Sequence, residues 1–517
     1  MPDLLTVYAQ SQPDKLAVVD DRGSGDPVRW SYRDLEEQAN RLANAMLSLD
    51  IKPGEKVLWC GPNSPQVVAV VCAARKIGAT AVPLNYRLTA EEAGYVIGHS
   101  DAAVAYVDAE QAPMFASLRS RLDRLRQVIV YGGPVPDGML GEDFVAGASE
   151  QPPPENPEGV AATMIYTSGT TGKPKGAVRR GQPADPAIIG LIQLIGYTPD
   201  DIYLTSGPLY HSGPGGFMGV ALALGQTIVI QRKYEPEDWL RLVDTYRVSS
   251  TFCAPPLIRM VCSLPAEVKA RYDRSSMKRM IANAAPWSFA LKQQYLADFP
   301  ADSLFEVYGS TELGVNCVLE PADQLRKPGS CGKPAPAVEI ALFDAAGREV
   351  TGTGPDHPGE LFVRSAVVYD EYYKQQDRYD SARRGDYHTV GDIAYRDDEG
   401  YLYICDRKND MIISGGMNIY PAEIEAALEQ HPDIYEAAVF GIPSDEWGET
   451  VHATVVPRPG SSLSADDVTA FSREHLAGYK TPRSIAFTGE LPRTGSGKIL
   501  KRVLRAPFWA QDDRRLG

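Results

Sequence analysis

Two periods of apolar and polar positions alternate along the stretch from Trp30 to Val107. Leu35, Ala39, Leu42 and Met46 recur at helical spacing, and Ser31 followed by Asp34 supplies a capping pair at the start of that run. Thr89 followed by Glu92 marks a second helix start in the same way. Between the helical stretches lie short apolar runs at residues 57–59, 81–84 and 103–107, whose length suits buried strands. Strands alternating with helices predict an α/β fold with substantial parallel pairing.

A Gly/Pro-rich, acidic segment at 132–159 interrupts the rhythm and is expected to be an excursion within one large domain. Strand-like runs at 227–230 and 248–252 then resume it, and no repeat of fixed period is evident. Past Tyr401 the texture changes: a polar run at 406–410 precedes Ser414-Gly415-Gly416. What remains suffices for a small domain, with a helix expected at 421–430, strands at 437–441 and 451–456, and a basic tail around Lys498.

The chain of 517 residues is 44% apolar, which suits a large core and two or more domains. A formal charge of −15 argues against a nucleic-acid groove, which needs clustered Lys and Arg. Seven scattered cysteines, without any Cys-x-x-Cys spacing, fit reduced thiols in a cytoplasmic protein rather than a disulfide framework or a zinc site. The N-terminus does not read as a signal peptide, and the longest apolar runs are far short of the roughly 18 residues that cross a bilayer.

The chemistry begins at Tyr166-Thr167-Ser168-Gly169-Thr170-Thr171-Gly172-Lys173-Pro174-Lys175-Gly176. Glycines let backbone N–H groups turn onto an anion, hydroxyls add donors, and lysines add positive charge, so the loop is built to hold phosphate. It is not the familiar Gly-x4-Gly-Lys-Ser/Thr loop, because five residues after Gly169 stands Pro174.

This loop closely resembles the signature of the adenylate-forming superfamily, which includes acyl-CoA synthetases, peptide-synthetase adenylation domains and firefly-type luciferases. Further blocks occur in the family's order from about residue 30 to residue 502. The resemblance implies a large N-terminal domain of α/β subdomains over 1–408 and a small, mobile α+β lid over 409–517, with the active site between them. It also implies ATP, Mg²⁺ and coenzyme A as the reaction's partners. In Phe305-Glu306-Val307-Tyr308-Gly309-Ser310-Thr311-Glu312-Leu313-Gly314, Glu312 would bind Mg²⁺ and Thr311 the α-phosphate, with Tyr308, Gly309 and Ser310 along the nucleotide. Read without the family, Glu312 suits a helix cap better than a metal ligand, and the resemblance reverses that order. Asn283, Ala284 and Ala285 resemble the adenine-side turn. Asp392, in Tyr387-His388-Thr389-Val390-Gly391-Asp392, would accept from the ribose hydroxyls, and Arg407 would also contact the nucleotide. Asn409 stands where the family usually has Asp or Lys at its hinge, and Ser414, Gly415 and Gly416 form the loop on the CoA side. Lys498, in Leu491-Pro492-Arg493-Thr494-Gly495-Ser496-Gly497-Lys498, resembles the lysine that neutralises charge during adenylation, although by itself it reads as part of a solvated helix face.

The acyl pocket would involve Tyr210, Gly215, Gly216, Val307 and Gly314, with His211 either near the acyl carboxylate or structural. Ser212 stands close to where peptide-synthetase domains commonly carry Asp, which argues against an amino-acid substrate. The resemblance therefore implies an acyl-CoA synthetase acting on a hydrophobic carboxylic acid. A ligase that loads a carrier protein, and a non-catalytic nucleotide-binding protein on the same fold, stand as alternatives. A homodimer is compatible with either.

Overall fold

The computed structural model describes residues 3–154, 161–167, 174–181, 185–283, 287–408, 410–415, 417–493 and 499–509. Ser168, Gly169, Thr170, Thr171 and Gly172 of the phosphate loop lie outside the described residues, as do Ala284, Ala285, Asn409, Gly416 and Lys498.

Helices start where the caps stand. Ser31 and Asp34 form a reciprocal capping box at Tyr32–Ser48, and Thr89 and Glu92 form another at Ala90–Ser100. Each box satisfies amide groups that a helix start leaves without partners. The Leu35, Ala39, Leu42 and Met46 face is buried. The apolar runs become Lys56–Cys60, Thr80–Leu84 and Ala102–Asp108, with Lys56–Cys60 in parallel register between the other two. Segment 132–159 carries a short helix, Glu142–Ala146, and its described part is fastened to Tyr32–Ser48. Asn40 Nδ2 donates to the Glu150 carbonyl at 2.9 Å, and Arg41 Nη1 to that of Ala146 at 3.0 Å.

Two large sheets position the site. One has seven strands, ordered Glu371–Tyr372, Lys175–Arg180, Ala162–Thr167, Thr80–Leu84, Lys56–Cys60, Ala102–Asp108 and Gln127–Tyr131. Pairing is antiparallel among its first three strands and parallel thereafter. The other has nine strands. Its middle runs through Leu304–Ser310, Arg279–Ala282, Ser250–Cys253, Ile202–Thr205, Thr227–Ile230 and Leu16–Asp20, and is parallel throughout. Parallel strands covered by helices on both faces must be apolar on both, and Thr80–Leu84 and Ala102–Asp108 are buried at every position. A smaller sheet ends the large domain with Asp392–Arg396 paired to Leu402–Arg407.

The C-terminal domain is small and has its own core of Ile412, Ile424, Leu428, Val439, Val455 and Val468. Its helix Pro421–Leu428 ends two residues before the expected limit. Its main strands, Ile434–Ser444 and Gly448–Pro457, run well past the apolar runs that announce them. Backbone pairing carries the hairpin to Ser444 opposite Gly448, where Gly448 adopts φ +78°. Among the described residues no helix is long and apolar enough to cross a membrane.

Candidate active site

Thr311 and Glu312 sit at the tip of a hairpin between Leu304–Ser310 and Gly314–Leu319. The hairpin closes this tightly because residue 309 is glycine: a Cβ there would stand 2.0 Å from the Gly314 carbonyl oxygen. Gly314, at φ +73°, takes the left-handed conformation that ends the turn. Glu312 thus lies outside any helix. Its buried carboxylate accepts from Thr167 Oγ1 and from the Tyr372 hydroxyl, each at 3.0 Å. Thr311 Oγ1 lies 2.8 Å from Ser212 Oγ, and the Thr311 carbonyl accepts from Arg179 Nη2 at 2.7 Å.

Lys175 and Arg179 stand four residues apart, on one face of the strand Lys175–Arg180. Burial pushes the Lys175 ammonium below its ordinary value; neighbouring Arg378 pushes it further and Glu312 opposes. Burial likewise lowers Arg179, again opposed by Glu312. Cations held this way gain most from an anion that arrives beside them. Lys175 Nζ also lies 5.0 Å from the centre of the Tyr372 ring.

A second cluster gathers residues distant in sequence. The Tyr308 hydroxyl donates to Asp392, and Arg407 Nε lies 3.5 Å from the other oxygen of that carboxylate. Direct pairing of Asp392 with Arg407 across adjacent strands places them together. Burial, and then the Asp392 charge, raise the Tyr308 hydroxyl well above its ordinary value, so it stays protonated and donates. Gly391, at φ +84°, donates to Thr389 Oγ1 and accepts from the Lys408 amide, which fixes the bend before Asp392.

Both clusters adjoin one cavity of ≈ 1770 Å³. A single-ligand site takes roughly 300–1,000 Å³, so this one has room for more than one molecule. Among the described residues, ten Lys and Arg side chains line it against three carboxylates, in a chain of formal charge −15. That local reversal of sign concentrates polyanions in the cleft. Apolar side chains, among them Ile188, Leu191, Phe217, Val220, Phe252 and Leu257, line the same cavity.

The expected residues divide as follows. Thr167, Lys175, Asn283, Gly309, Ser310, Thr311, Glu312 and Arg407 line the cavity. Tyr210, His211, Gly216 and Gly314 do so as well, with the Tyr210 and His211 rings 4.4 Å apart. Tyr308 and Asp392 stand immediately behind the wall, bonded to each other. Gly215 and Val307 are not on the wall. Gly215 is required by packing, since a Cβ there would meet the Leu209 carbonyl oxygen at 2.6 Å, and Val307 belongs to the core. Ser414 and Gly415 are also away from the cavity: the Gly415 amide donates to the Trp447 carbonyl, and a Cβ would strike the indole at 2.7 Å. From the small domain, Arg493, Leu500 and Arg502 reach the wall.

Sequence reasoning missed Arg179, Tyr372, Arg378 and Arg493. For Arg179 a signal existed, because alternation along a strand that begins at Lys175 puts residue 179 on the same face. Arg493 stands in the same block as Lys498, and for Tyr372 and Arg378 no local pattern exists. Among the described residues no group of three or more His, Cys, Asp or Glu could hold a metal ion by itself. Glu312 fits Mg²⁺ in the way that ion usually binds, by one or two carboxylates together with substrate phosphate oxygens.

A family model for AMP-binding enzymes matches residues 5–373, and one for the AMP-binding enzyme C-terminal domain matches residues 423–498. A feruloyl-CoA synthase from Amycolatopsis is 34% identical over 483 residues, covering 92% of this chain and 94% of that protein. The long-chain-fatty-acid–CoA ligase FadD13 of Mycobacterium tuberculosis is 31% identical over 485 residues, covering 93% and 94%. Among solved structures, ATP-bound MatB from Rhodopseudomonas palustris superposes with a TM-score of 0.86 at 27% identity, covering 98% of each chain. The chain belongs to the AMP-binding enzyme family.

Proposed function

We propose that this chain is an AMP-forming acid–thiol ligase that activates a hydrophobic carboxylic acid and transfers it to coenzyme A. The observation that carries the reading is a cavity lined both by the cations Lys175, Arg179 and Arg407 and by apolar side chains, including Phe217 and Val220 of the helix Ser212–Ala223. In the first half-reaction a carboxylate oxygen of the acid bonds to the α-phosphorus of ATP and the bond to pyrophosphate breaks. In the second, the thiol sulfur bonds to the acyl carbon, AMP leaves, and the thiol proton passes to solvent.

Lys175, with Thr167 and the loop that follows it, holds the pyrophosphate end of ATP. Thr311 and Arg179 keep the hairpin tip against the α-phosphate, and Tyr308, Asp392 and Arg407 orient the nucleoside. Mg²⁺, carried by Glu312 and phosphate oxygens, supplies charge neutralisation on the triphosphate. Domains of 1–408 and 409–517 meet at a hinge at Asn409. Rotation there brings Ser414 and Gly415 to the cavity for the thiol step.

The test is pyrophosphate release with ATP, Mg²⁺ and a panel of aryl, fatty and polycyclic acids, followed by mass spectrometry with free CoA or a holo-carrier protein as acceptor. A CoA thioester is expected. Transfer to the carrier alone would move the assignment to a carrier-loading ligase, and no pyrophosphate with any acid would end the enzymatic reading.

Gly216 sets the width of the acid. A Cβ there would meet nothing within 4 Å, and the residue lines the cavity. Gly216→Leu adds bulk to open space and raises helix propensity by about 0.5–1 kcal/mol, so folding is not at risk. We expect kcat/KM for the bulkiest accepted acid to fall about 10-fold or more while short acids are retained. Equal rates across the panel would place Gly216 away from the acid.

A further inference from the structure

Arg259 belongs to none of the segments assigned above, and it joins the two domains. It projects from the helix Pro255–Cys262 of the large domain, whose neighbours Ala254, Pro256 and Leu257 line the cavity and whose Ile258 and Val261 are buried. Arg259 Nη1 donates to the carbonyl of Tyr435 in the small domain at 3.1 Å, and its guanidinium lies 5.4 Å from the centre of the Tyr435 ring. Glu429 also feels the guanidinium: burial raises its carboxyl to about 7, while Arg259 opposes that rise.

The next residue along the strand continues the connection. Glu436 forms an ion pair with Arg493, which reaches the cavity wall. Arg493 in turn pairs with Ile499 across a β-bridge, and the Leu500 amide donates to the Pro492 carbonyl at 2.7 Å. These contacts tie together the described residues on either side of 494–498, the stretch that contains Lys498. A line of short contacts thus runs from Arg259 through Tyr435 and Glu436 to Arg493 and Ile499.

We propose that Arg259 is a positioning residue for adenylation: it docks the Tyr435–Glu436 edge of the small domain on the large one and thereby holds Arg493 and Leu500, which flank the stretch containing Lys498, at the cavity. The thiol step, which uses a rotated small domain, does not need this contact. The proposal rests on the two-step ligase reading. It adds a residue to that reading and explains how one domain arrangement is held for one half-reaction.

The test compares Arg259→Ala and Arg259→Lys with the wild type in separate half-reactions. For Arg259→Ala, kcat for pyrophosphate release is expected to fall about 10-fold or more, as small misplacements of catalytic groups do. KM for ATP, and the rate of thioester formation from supplied acyl-adenylate, should stay within about 2-fold of wild type, because neither uses the docked edge. Arg259→Lys keeps the charge without the planar fork and should recover part of the loss. Equal losses in both half-reactions, or undiminished pyrophosphate release, would overturn the proposal. Hydrogen exchange reads the docking without activity: in Arg259→Ala the amides of 434–440 should exchange faster while those of the large-domain core do not change. If the wild type released no pyrophosphate at all, the ligase reading would fall, and unchanged exchange at 434–440 would separately refute the docking.

Discussion

Glu312→Gln is expected to reduce pyrophosphate release at saturating acid by about 10²-fold or more. Glutamine keeps the size of the side chain and an oxygen that can still accept from Thr167 Oγ1 and the Tyr372 hydroxyl, both 3.0 Å from the carboxylate. What it loses is the charge. Alanine would be a poorer test, because it would leave those two hydroxyls without an acceptor, at a cost of about 1–3 kcal/mol each, and mix folding with catalysis. Without the carboxylate, Mg²⁺–ATP would lose the charge proposed to hold it at the hairpin tip, and Lys175 and Arg179 lose the anion that opposes their desolvation. The Mg²⁺ concentration giving half-maximal rate should therefore rise along with the fall in kcat. A variant with near-wild-type kcat and an unchanged Mg²⁺ dependence would remove Glu312 from the site.

The arrangement around Glu312 marks how far the sequence can be read. The hairpin tip was legible as a block, but the acceptor geometry was not, because Thr167 and Tyr372 belong to the seven-stranded sheet and Glu312 to a hairpin of the nine-stranded one, and no local signal tells how two sheets meet. The capped helices and the buried parallel strands were legible because caps and apolar runs are local signals, and Ser31 with Asp34 and Thr89 with Glu92 form the boxes that their spacing implies. Strand ends were read less well. The hairpin of Ile434–Ser444 with Gly448–Pro457 extends beyond its apolar part, since backbone pairing continues where side-chain burial stops.

Glycine content alone does not tell which of two adjacent positions faces the cavity. Gly215 and Gly216 look alike in sequence, yet one faces the Leu209 carbonyl and the other faces open cavity. Helical rotation separates them by roughly 100° per residue. Only the direction of the would-be side chain distinguishes a glycine demanded by packing from one that leaves room for a ligand. The reversal of charge in the cavity was likewise hidden in a chain of net charge −15, because its lysines and arginines are spread from Arg87 to Arg502 and converge only on folding.

Lys498→Ala should separate the half-reactions. Pyrophosphate release is expected to fall by about 10²–10³-fold, as when an aligned electrostatic group is removed from a transition state. Thioester formation from supplied acyl-adenylate should continue at close to the wild-type rate. Arg493 and Arg502 remain on the cavity wall, so the charge that attracts ATP is only slightly reduced. The loss should thus appear in kcat for adenylation, with KM for ATP changed little, which identifies a group felt mainly in the transition state. Arg259→Ala should give the same pattern in weaker form, because it loosens the hold on Arg493, beside the Lys498 stretch, without removing the ammonium. In the double variant the two effects should fall short of additive, since positioning a lysine that is absent has no value. Strict additivity would mean that Arg259 acts elsewhere, and retained pyrophosphate release in Lys498→Ala would require another cation of the cavity to serve the first half-reaction.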